Sequence, residues 1–420
     1  MKTIKPQILK GTRDFLPIDM AKRNLVMQQI RAIFARFGYD QIETPILNRA
    51  ENILGKYGEE GSKLTYNFED NGGRNIALPY DLTVPFARLV AANWQKLPIP
   101  FKRYQIQRVW RAEKPQKGRL REFYQCDIDV VGTRSLIAEA EVAKVMVTVF
   151  NELGFKDFTI KFNSRRLLNS VLEKMGVPQE KTTSTIQIID KLAKIGPQKV
   201  ISMLKAIGVK NGQEILETSQ PENLKDFDVS EINQFLEYCK ALKVPEQYLE
   251  FDPSLARGLD YYTGLSFEVY DKNCDFGALC AGGRYDNLCR LFCNEDFSGV
   301  GVAFGFDRIV LALEEMGKLE NVRQNSQALV TIFDEASAVQ ALNLYQSLTA
   351  DQVNCEIYFE PTKLSKQFKY ADKKGIPFVL IQGPEELAAD QVTVKNMKTG
   401  KQKSIATAQL SSYLKNYYEN

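Results

Sequence analysis

The sequence predicts an α+β protein in three parts: a sheet-and-helix core, a helical insertion within it, and a small α/β domain at the C-terminal end. Three observations predict this. Residues 1–165 mix helix-period and strand-period patterns. Residues 166–248 turn helix-like, charged and free of strand runs. Residues 327–420 alternate strand and helix signals and then show a hairpin, the order of a small separate α/β domain.

Residues 19–37 read as a helix. Leu25, Ile30, Ile33, Phe34 and Phe37 give its apolar spacing, and Gly38 stops it. Residues 39–47 read as extended. Pro45 within them suits an edge or interface, because proline lacks the N–H that a central strand donates. Residues 101–132 read as two long strands joined by a loop over 114–119. On the second strand Gln125, Asp127 and Asp129 alternate with Cys126, Ile128 and Val130, so period two gathers three polar groups on one face. Such a face either meets solvent or lines a site. A helix over 136–153, stopped by Gly154, and a strand over 158–162 follow. In the insertion, breakers at Gly176 to Pro178, Gly196-Pro197 and Asn211-Gly212 separate helical runs. A strand over 265–270 and a helix over 306–316, closed by Gly317, return to the core. Residues 318–326 read as a linker. In the tail, strands over 328–333, 355–359 and 377–381 alternate with helices over 336–348 and 363–374.

Composition narrows the function classes. A chain of 420 residues suits about two to four domains. With 44% hydrophobic and 25% charged residues it has the ordinary globular mixture. No run of 18 apolar residues is present, so no membrane span is expected. Residues 1–10 lack the apolar stretch of a secretory signal. Seven cysteines, an odd number without an export signal, point to reduced thiols and a cytoplasmic protein. Cys274, Cys280, Cys289 and Cys293 lie close together but lack a Cys-x-x-Cys knuckle, so buried or half-buried thiols are expected there, and no protein metal site. Histidine is absent. That excludes a histidine general base, a Ser-His-Asp triad and imidazole ligation of zinc. The net charge of +3 conceals two basic stretches: eight Lys/Arg against two acids over 101–122, and nine Lys against four acids over 361–403. They suggest a polyanion touched at two places; solvated surface lysine is the plainer alternative.

Three constellations carry chemistry. Arg108, Arg111 and Glu113 precede the basic loop; Arg119, Arg121, Glu122, Phe123, Tyr124 and Gln125 end and follow it. Arginine binds phosphate with a planar fork and keeps its charge, so this strand-loop-strand fits a nucleotide or nucleic-acid surface. An exposed basic hairpin is the competing reading. Residues 255–264 crowd Arg257, Asp260, Tyr261 and Tyr262 between Gly258 and Gly264. Residues 282–286 and 299–308 hold glycines that allow close backbone approach to a ligand. Arg308 lies at a helix start, where the macrodipole disfavours a cation, and a bound phosphate would supply the reason. Walker A and Rossmann patterns are absent, so a nucleotide is held another way.

Pieces along nearly the whole chain resemble the histidyl-tRNA synthetase family of class II aminoacyl-tRNA synthetases. Lys10 to Pro17 resembles the family's opening segment, and Glu43 to Pro45 resembles motif 1, the dimer-interface motif. The hairpin from Arg111 to Gln125 resembles motif 2, and Gly299 to Arg308 resembles motif 3. Leu255 to Gly264 resembles a signature of the histidine-specific enzymes that class II synthetases in general lack. Lys363 to Asp372 resembles the anticodon-binding domain. The resemblance implies a class II catalytic core, a mostly antiparallel sheet flanked by helices, over 1–165 and 249–320. It implies a helical insertion over 166–248 and an α/β anticodon-binding domain over 327–420. It further implies a cytoplasmic homodimer, a ligase that uses ATP and Mg2+ to join L-histidine to tRNA(His) through a histidyl-adenylate.

The same resemblance assigns roles. Arg111 matches the arginine at the ATP α-phosphate and the substrate carboxylate, and Arg257 matches the second catalytic arginine. Glu113, Arg119 and Arg308 match ATP-binding positions. Asp81, Thr83 and Gln125 match positions that hold the substrate's amino group. Asp129 and Tyr262, with Tyr261 beside them, match the imidazole-binding positions. Gln116 and Arg121 match loop positions that face the acceptor end of the tRNA. Pro79 stands where relatives usually carry arginine, and Gln105 occupies a position open to histidine in the family. The chemistry tolerates the missing histidine, because the attacking substrate carboxylate is already ionised at neutral pH. A second reading is a catalytically inactive paralogue that serves as a regulatory subunit in histidine biosynthesis. Such relatives generally lose the tRNA-binding tail and erode motif 2 and the histidine-specific segment; both persist here. A third, a general tRNA-binding module, has no need of Asp81, Asp129 or Tyr262.

Overall fold

The computed structural model describes residues 3–56, 58–256 and 261–419. They fall into two compact units, Met1–Asp14 with Leu25–Leu319, and Phe15–Asn24 with Glu320–Asn420. Helix α1 (Pro17–Arg36) begins two residues before the sequence reading and ends one before it. Val26, Ile30, Ile33 and Phe34 form its buried face, and Gly38 closes it at φ +74°.

The first unit is organised by an eight-stranded sheet. Its edge strand β1 (Asp40–Gln41) runs parallel to β2 (Phe101–Trp110). Between them lie a small three-stranded sheet and helix α2 (Thr83–Asn93). The remaining core elements are β3 (Glu122–Val131), α3 (Ile137–Glu152), β4 (Phe158–Ser164), β5 (Leu249–Phe251), β6 (Leu265–Asp271), β7 (Cys280–Tyr285), β8 (Gly299–Gly305) and α4 (Phe306–Glu315). The sheet runs β1-β2-β3-β8-β7-β6-β4-β5, and only the β1–β2 and β4–β5 pairs within it are parallel. Between β4 and β5 come the helices Arg165–Lys174, Gln179–Ile189, Pro197–Ala206, Gly212–Thr218 and Ser230–Ala241. Leu168, Leu172, Ile186, Val200, Leu204 and Ile215 pack as a core of their own.

Two strands depart from the sequence reading. Residues 280–285 and 299–305 are central strands, although their glycines suggested close approach to a ligand. At Gly282 and Gly283 the close approach is to neighbouring strands, while Gly301 and Gly305 border cavities. A Cβ on Gly283 would stand 2.6 Å from the Leu265 carbonyl oxygen, and one on Gly282 would collide with the Gly301 carbonyl. Glycine weakens a strand by entropy but is kept where another backbone comes this near.

The second unit carries a five-stranded sheet. Strands β9 (Ala328–Val330), β10 (Cys355–Ile357) and β11 (Phe378–Ile381) are parallel. The hairpin β12 (Gln391–Asn396) and β13 (Gln402–Ala406) continues the sheet antiparallel, in the order β10-β9-β11-β12-β13. Helices α5 (Ala338–Ala350), α6 (Leu364–Lys374) and α7 (Leu410–Glu419) complete it. Gln367 of α6 is fully buried. It accepts the Ile332 N–H at 3.1 Å and donates to the carbonyls of Ile332 at 2.8 Å and Thr362 at 2.7 Å. Each of its amide atoms thereby has a partner, as burial demands.

Candidate active site

The site grows from the register of β2 and β3. Arg103 faces Asp129, Gln105 faces Asp127, and Gln107 faces Gln125. Two polar strand faces therefore meet inside the fold. Arg103 and Asp129 approach to 2.5 Å with side chains 0% and 3% exposed, and the Arg103 guanidinium lies 4.3 Å over the Phe86 ring. The Tyr285 hydroxyl donates to Asp129 Oδ1 at 2.7 Å. Gln105 Nε2 donates to Thr44 Oγ1 at 2.9 Å and to Gln107 Oε1 at 2.5 Å, and Gln107 Nε2 reaches the Thr44 carbonyl at 2.9 Å. This places Thr44, from the motif 1 segment, against the same ladder.

The other side of β3 is kept low. Gly301, Ala303 and Gly305 of β8 stand opposite Asp129, Asp127 and Gln125. A Cβ on Gly301 would collide with the Asp129 carboxylate. The expected outcome for Gly301→Ala is a loss of about 1–3 kcal/mol of stability from overpacking, with a raised KM for the ligand of this pocket. Denaturant unfolding and steady-state kinetics check it; an unchanged KM would mean that the Asp129 position does not govern binding.

The small residues leave two neighbouring cavities. The smaller, about 40 Å³, is lined by Asp81, Thr83, Gln125, Asp129, Tyr261 and Tyr262, together with Asp127, Tyr285 and Arg111. The larger, about 360 Å³, is lined by Arg111, Glu113, Arg119 and Arg308, with Glu268 and Lys194. Arg111, Gln125, Ala281 and Ala303 line both. Ten candidate residues are thus gathered around two joined spaces, five at the smaller, three at the larger, and Arg111 and Gln125 at both. Gln116 is exposed in the loop, where its N–H bonds the Arg119 carbonyl at 3.1 Å. Arg121 donates to the carbonyls of Glu113 at 3.1 Å and Lys10 at 3.2 Å. Neither is among the residues lining the two cavities. Arg257 lies outside the described residues.

Local contacts explain several positions. Asp81 Oδ1 accepts the N–H groups of Thr83 and Val84, each at 3.1 Å, at the start of α2, where the macrodipole favours a carboxylate. The Tyr261 hydroxyl reaches Asp81 Oδ2 at 3.4 Å. Arg111 donates from Nε to the Tyr80 carbonyl at 3.0 Å and from Nη2 to Gln125 Oε1 at 3.4 Å. Pro79 keeps its neighbourhood through its backbone, since its carbonyl accepts the Trp110 N–H at 2.9 Å, which a proline can do as well as an arginine. Arg308 is anchored by the protein itself. It has protein partners at the helix start: Nε donates to the Gly118 carbonyl at 2.9 Å and Nη1 to that of Ala278 at 2.6 Å. Burial, then Arg119 and Arg111, hold its pKa below the usual arginine value. The surroundings are therefore cation-rich and favour an anion.

Burial sets the acids apart. It pushes the Asp127 carboxyl well above the usual carboxylate range; Arg103 opposes the shift and Asp129 and Asp81 add to it. Burial also raises Asp129, against the pull of Arg103 and the Tyr285 hydroxyl. Several cations of the basic stretch over 101–122 are committed to acidic partners within the protein. Arg103 in it is fully buried, Lys102 pairs with Glu141 at 2.8 Å, and Arg108 pairs with Glu122 at 2.9 Å. All seven cysteines are free thiols. Cys280 and Cys289 are buried, and burial pushes the Cys289 thiol up to about 12.

Sequence reasoning gave no site role to Arg103, Asp127, Tyr285 or Glu268. Period two puts Asp127 on the polar face, and Tyr285 stands within the glycine-rich segment 282–286, so both had a signal. Arg103 and Glu268 had none, because their roles depend on strand pairing.

A sequence profile described as Histidyl-tRNA synthetase matches residues 11–309, and one described as Anticodon binding domain matches residues 327–417. The Histidine--tRNA ligase of Phocaeicola vulgatus is 40% identical, covering 98% of this chain and 99% of its own. That of Christiangramia forsetii is 38% identical with the same coverage. The crystal structure of histidyl-tRNA synthetase from Nostoc sp. PCC 7120 superposes with a TM-score of 0.85 at 30% identity, over 99% of this chain and 100% of that one.

Proposed function

Since the chain belongs to the histidyl-tRNA synthetase family, with a class II core and an anticodon-binding domain, we propose that it is a histidine–tRNA ligase working in two steps on L-histidine, ATP and tRNA(His). The observation that carries this reading is the pair of joined cavities, an acidic and amide-lined one beside an arginine-lined one, with Arg111 at both. Histidine lies in the smaller. Its ammonium meets Asp81, Thr83 and Gln125, and its imidazole meets Asp129 and Tyr262, with Tyr261 alongside. Pairing both ring nitrogens rejects isosteres lacking them, since unpaired buried partners cost about 10⁴–10⁵ in discrimination.

ATP lies in the larger cavity against Glu113, Arg119 and Arg308. The histidine carboxylate attacks the α-phosphorus, the bond to the bridging oxygen of the β-phosphate breaks, and pyrophosphate leaves with its electron pair. Arg111 and Arg257 align the reactants and steady the charge on the α-phosphoryl oxygens. The terminal ribose hydroxyl of the tRNA then attacks the acyl carbon, the bond from that carbon to the phosphate oxygen breaks, AMP leaves carrying the hydroxyl's proton, and Gln116 and Arg121 face the acceptor end. The cavity offers the carboxylates Glu113 and Glu268, which fit a hard cation held by one or two protein oxygens and by phosphates. These two would hold Mg2+, which supplies charge neutralisation to the triphosphate.

The protein works as a homodimer through the motif 1 region, where Ile46 and Leu47 stand 40% and 63% exposed directly after Pro45. It works in the reducing cytoplasm, in keeping with its free thiols. No described helix is long and apolar enough to cross a membrane. The regulatory-paralogue reading is disfavoured because that role requires neither the arginines of the larger cavity nor the C-terminal domain. The test is aminoacylation of purified tRNA with each of the twenty amino acids, alongside ATP–pyrophosphate exchange. Histidine-dependent exchange and charging are expected; exchange driven by another amino acid, or none, would overturn the reading.

A further inference from the structure

Asp127 is the acid that the two-step reading leaves unused. It is 2% exposed and lines the smaller cavity between Gln125 and Asp129. Gln105 faces it on β2 and Ala303 on β8. Among the described residues its hydrogen bond comes from Gln125 Nε2 at 3.4 Å, and no ion pair reaches it. Charges face it from several elements: Arg103 on β2, Asp129 on its own strand, Asp81 ahead of α2, and Arg111 beyond β2. The nearby Tyr285 hydroxyl is committed to Asp129.

Among the described residues these charges already balance. Arg103 and Arg111 offset Asp81 and Asp129. A histidine zwitterion with a neutral ring adds one charge of each sign. An ionised Asp127 would leave one buried negative charge without a counterpart among these described groups, which low-dielectric surroundings penalise heavily. We propose that Asp127 is a further substrate-binding residue of this pocket and acts there as a neutral carboxylic acid, offering an O–H donor beside the bound amino acid. A carboxylate can only accept, whereas the protonated acid donates once and still accepts from Gln125. The burial-driven rise of its carboxyl agrees with this. The proposal rests on histidine being the occupant.

The test compares wild type, Asp127→Asn and Asp127→Ala. An amide copies the donor and acceptor of a neutral acid without its charge. Asp127→Asn is expected to hold the histidine KM within about threefold, while Asp127→Ala raises it roughly tenfold, the scale of one lost hydrogen bond. Holding the proton also fixes the sign of the stability effect. Above the ordinary carboxylate value the folded wild type must take up a proton, so its stability declines as pH rises toward the raised pKa. Asparagine has no such loss. The Tm advantage of Asp127→Asn should therefore grow from about pH 4 upward. Infrared difference spectra of wild type minus Asp127→Asn should show the carbonyl stretch of a protonated carboxyl at neutral pH. A histidine KM raised about 10–100-fold in Asp127→Asn, with the ATP KM unchanged, would show that the anion is needed. An unchanged KM in Asp127→Ala would show that no contact is made. Either overturns the proposal while histidine binding by the wild type stands; absence of that binding would instead overturn the functional reading and this inference with it.

Discussion

Arg111→Ala is expected to lower histidine-dependent ATP–pyrophosphate exchange roughly 10²–10³-fold, the scale for removing one preorganised donor at a developing charge. The argument is geometric. Arg111 lies 4.4 Å under the Tyr80 ring, and its Nε is fixed to the Tyr80 carbonyl. Its second amino group is left near Gln125, where the two cavities join. A guanidinium held in this way would lose little freedom on engaging both the substrate carboxylate and the α-phosphate, as the proposed first step requires. Arg111→Lys should recover only part of the loss, because a lysine keeps the charge but lacks the planar fork. Arg257→Ala carries the same expected loss on the strength of the family resemblance. Exchange assays at saturating histidine and ATP check both. Near-normal exchange in either variant would remove that arginine from the chemistry, provided circular dichroism shows the fold intact.

How much of this site was legible in the sequence depends on the range of the signal. Helix α1, the β2–β3 hairpin and the alternation of C-terminal strands and helices follow from local period and stop residues. Gln125, Asp127 and Asp129 share a face by period two alone. Strands β7 and β8 were hidden because Gly282, Gly283, Gly299 and Gly301 have poor strand propensity. Their reason is non-local: backbones at Leu265 and Gly301 and the carboxylate of Asp129 come too near for a side chain. Arg103 misled for the same reason. Along the chain it is one cation of a basic run, and only the register with β3 makes it a buried counterion. Arg308 gives the converse case. The macrodipole argument noticed it correctly, yet distant carbonyls at Gly118 and Ala278 supply its partners.

The Arg103–Asp129 pair separates stability from recognition. Asp129→Asn is expected to destabilise the protein by about 3–5 kcal/mol, the scale for leaving one member of a buried ion pair without its counterion. The substitution hardly changes volume, so packing contributes little. Arg103 would keep its place over Phe86 and its 3.4 Å approach to Gln105 Oε1, but these are neutral partners for a fully buried cation. Replacing both, as Arg103→Met with Asp129→Leu, removes the two charges together and should restore most of the stability, because hydrophobic replacements of buried pairs are often neutral or better. The double variant should nevertheless stay inactive in histidine-dependent exchange, since in the proposed binding mode the imidazole would then lose its carboxylate partner. Denaturant unfolding of Arg103→Met, Asp129→Leu and the double gives the coupling energy directly. A loss under about 1 kcal/mol for Asp129→Asn would mean that the pair behaves as a solvated one. A stable double variant that still activated histidine would free Asp129 of any part in reading the ring.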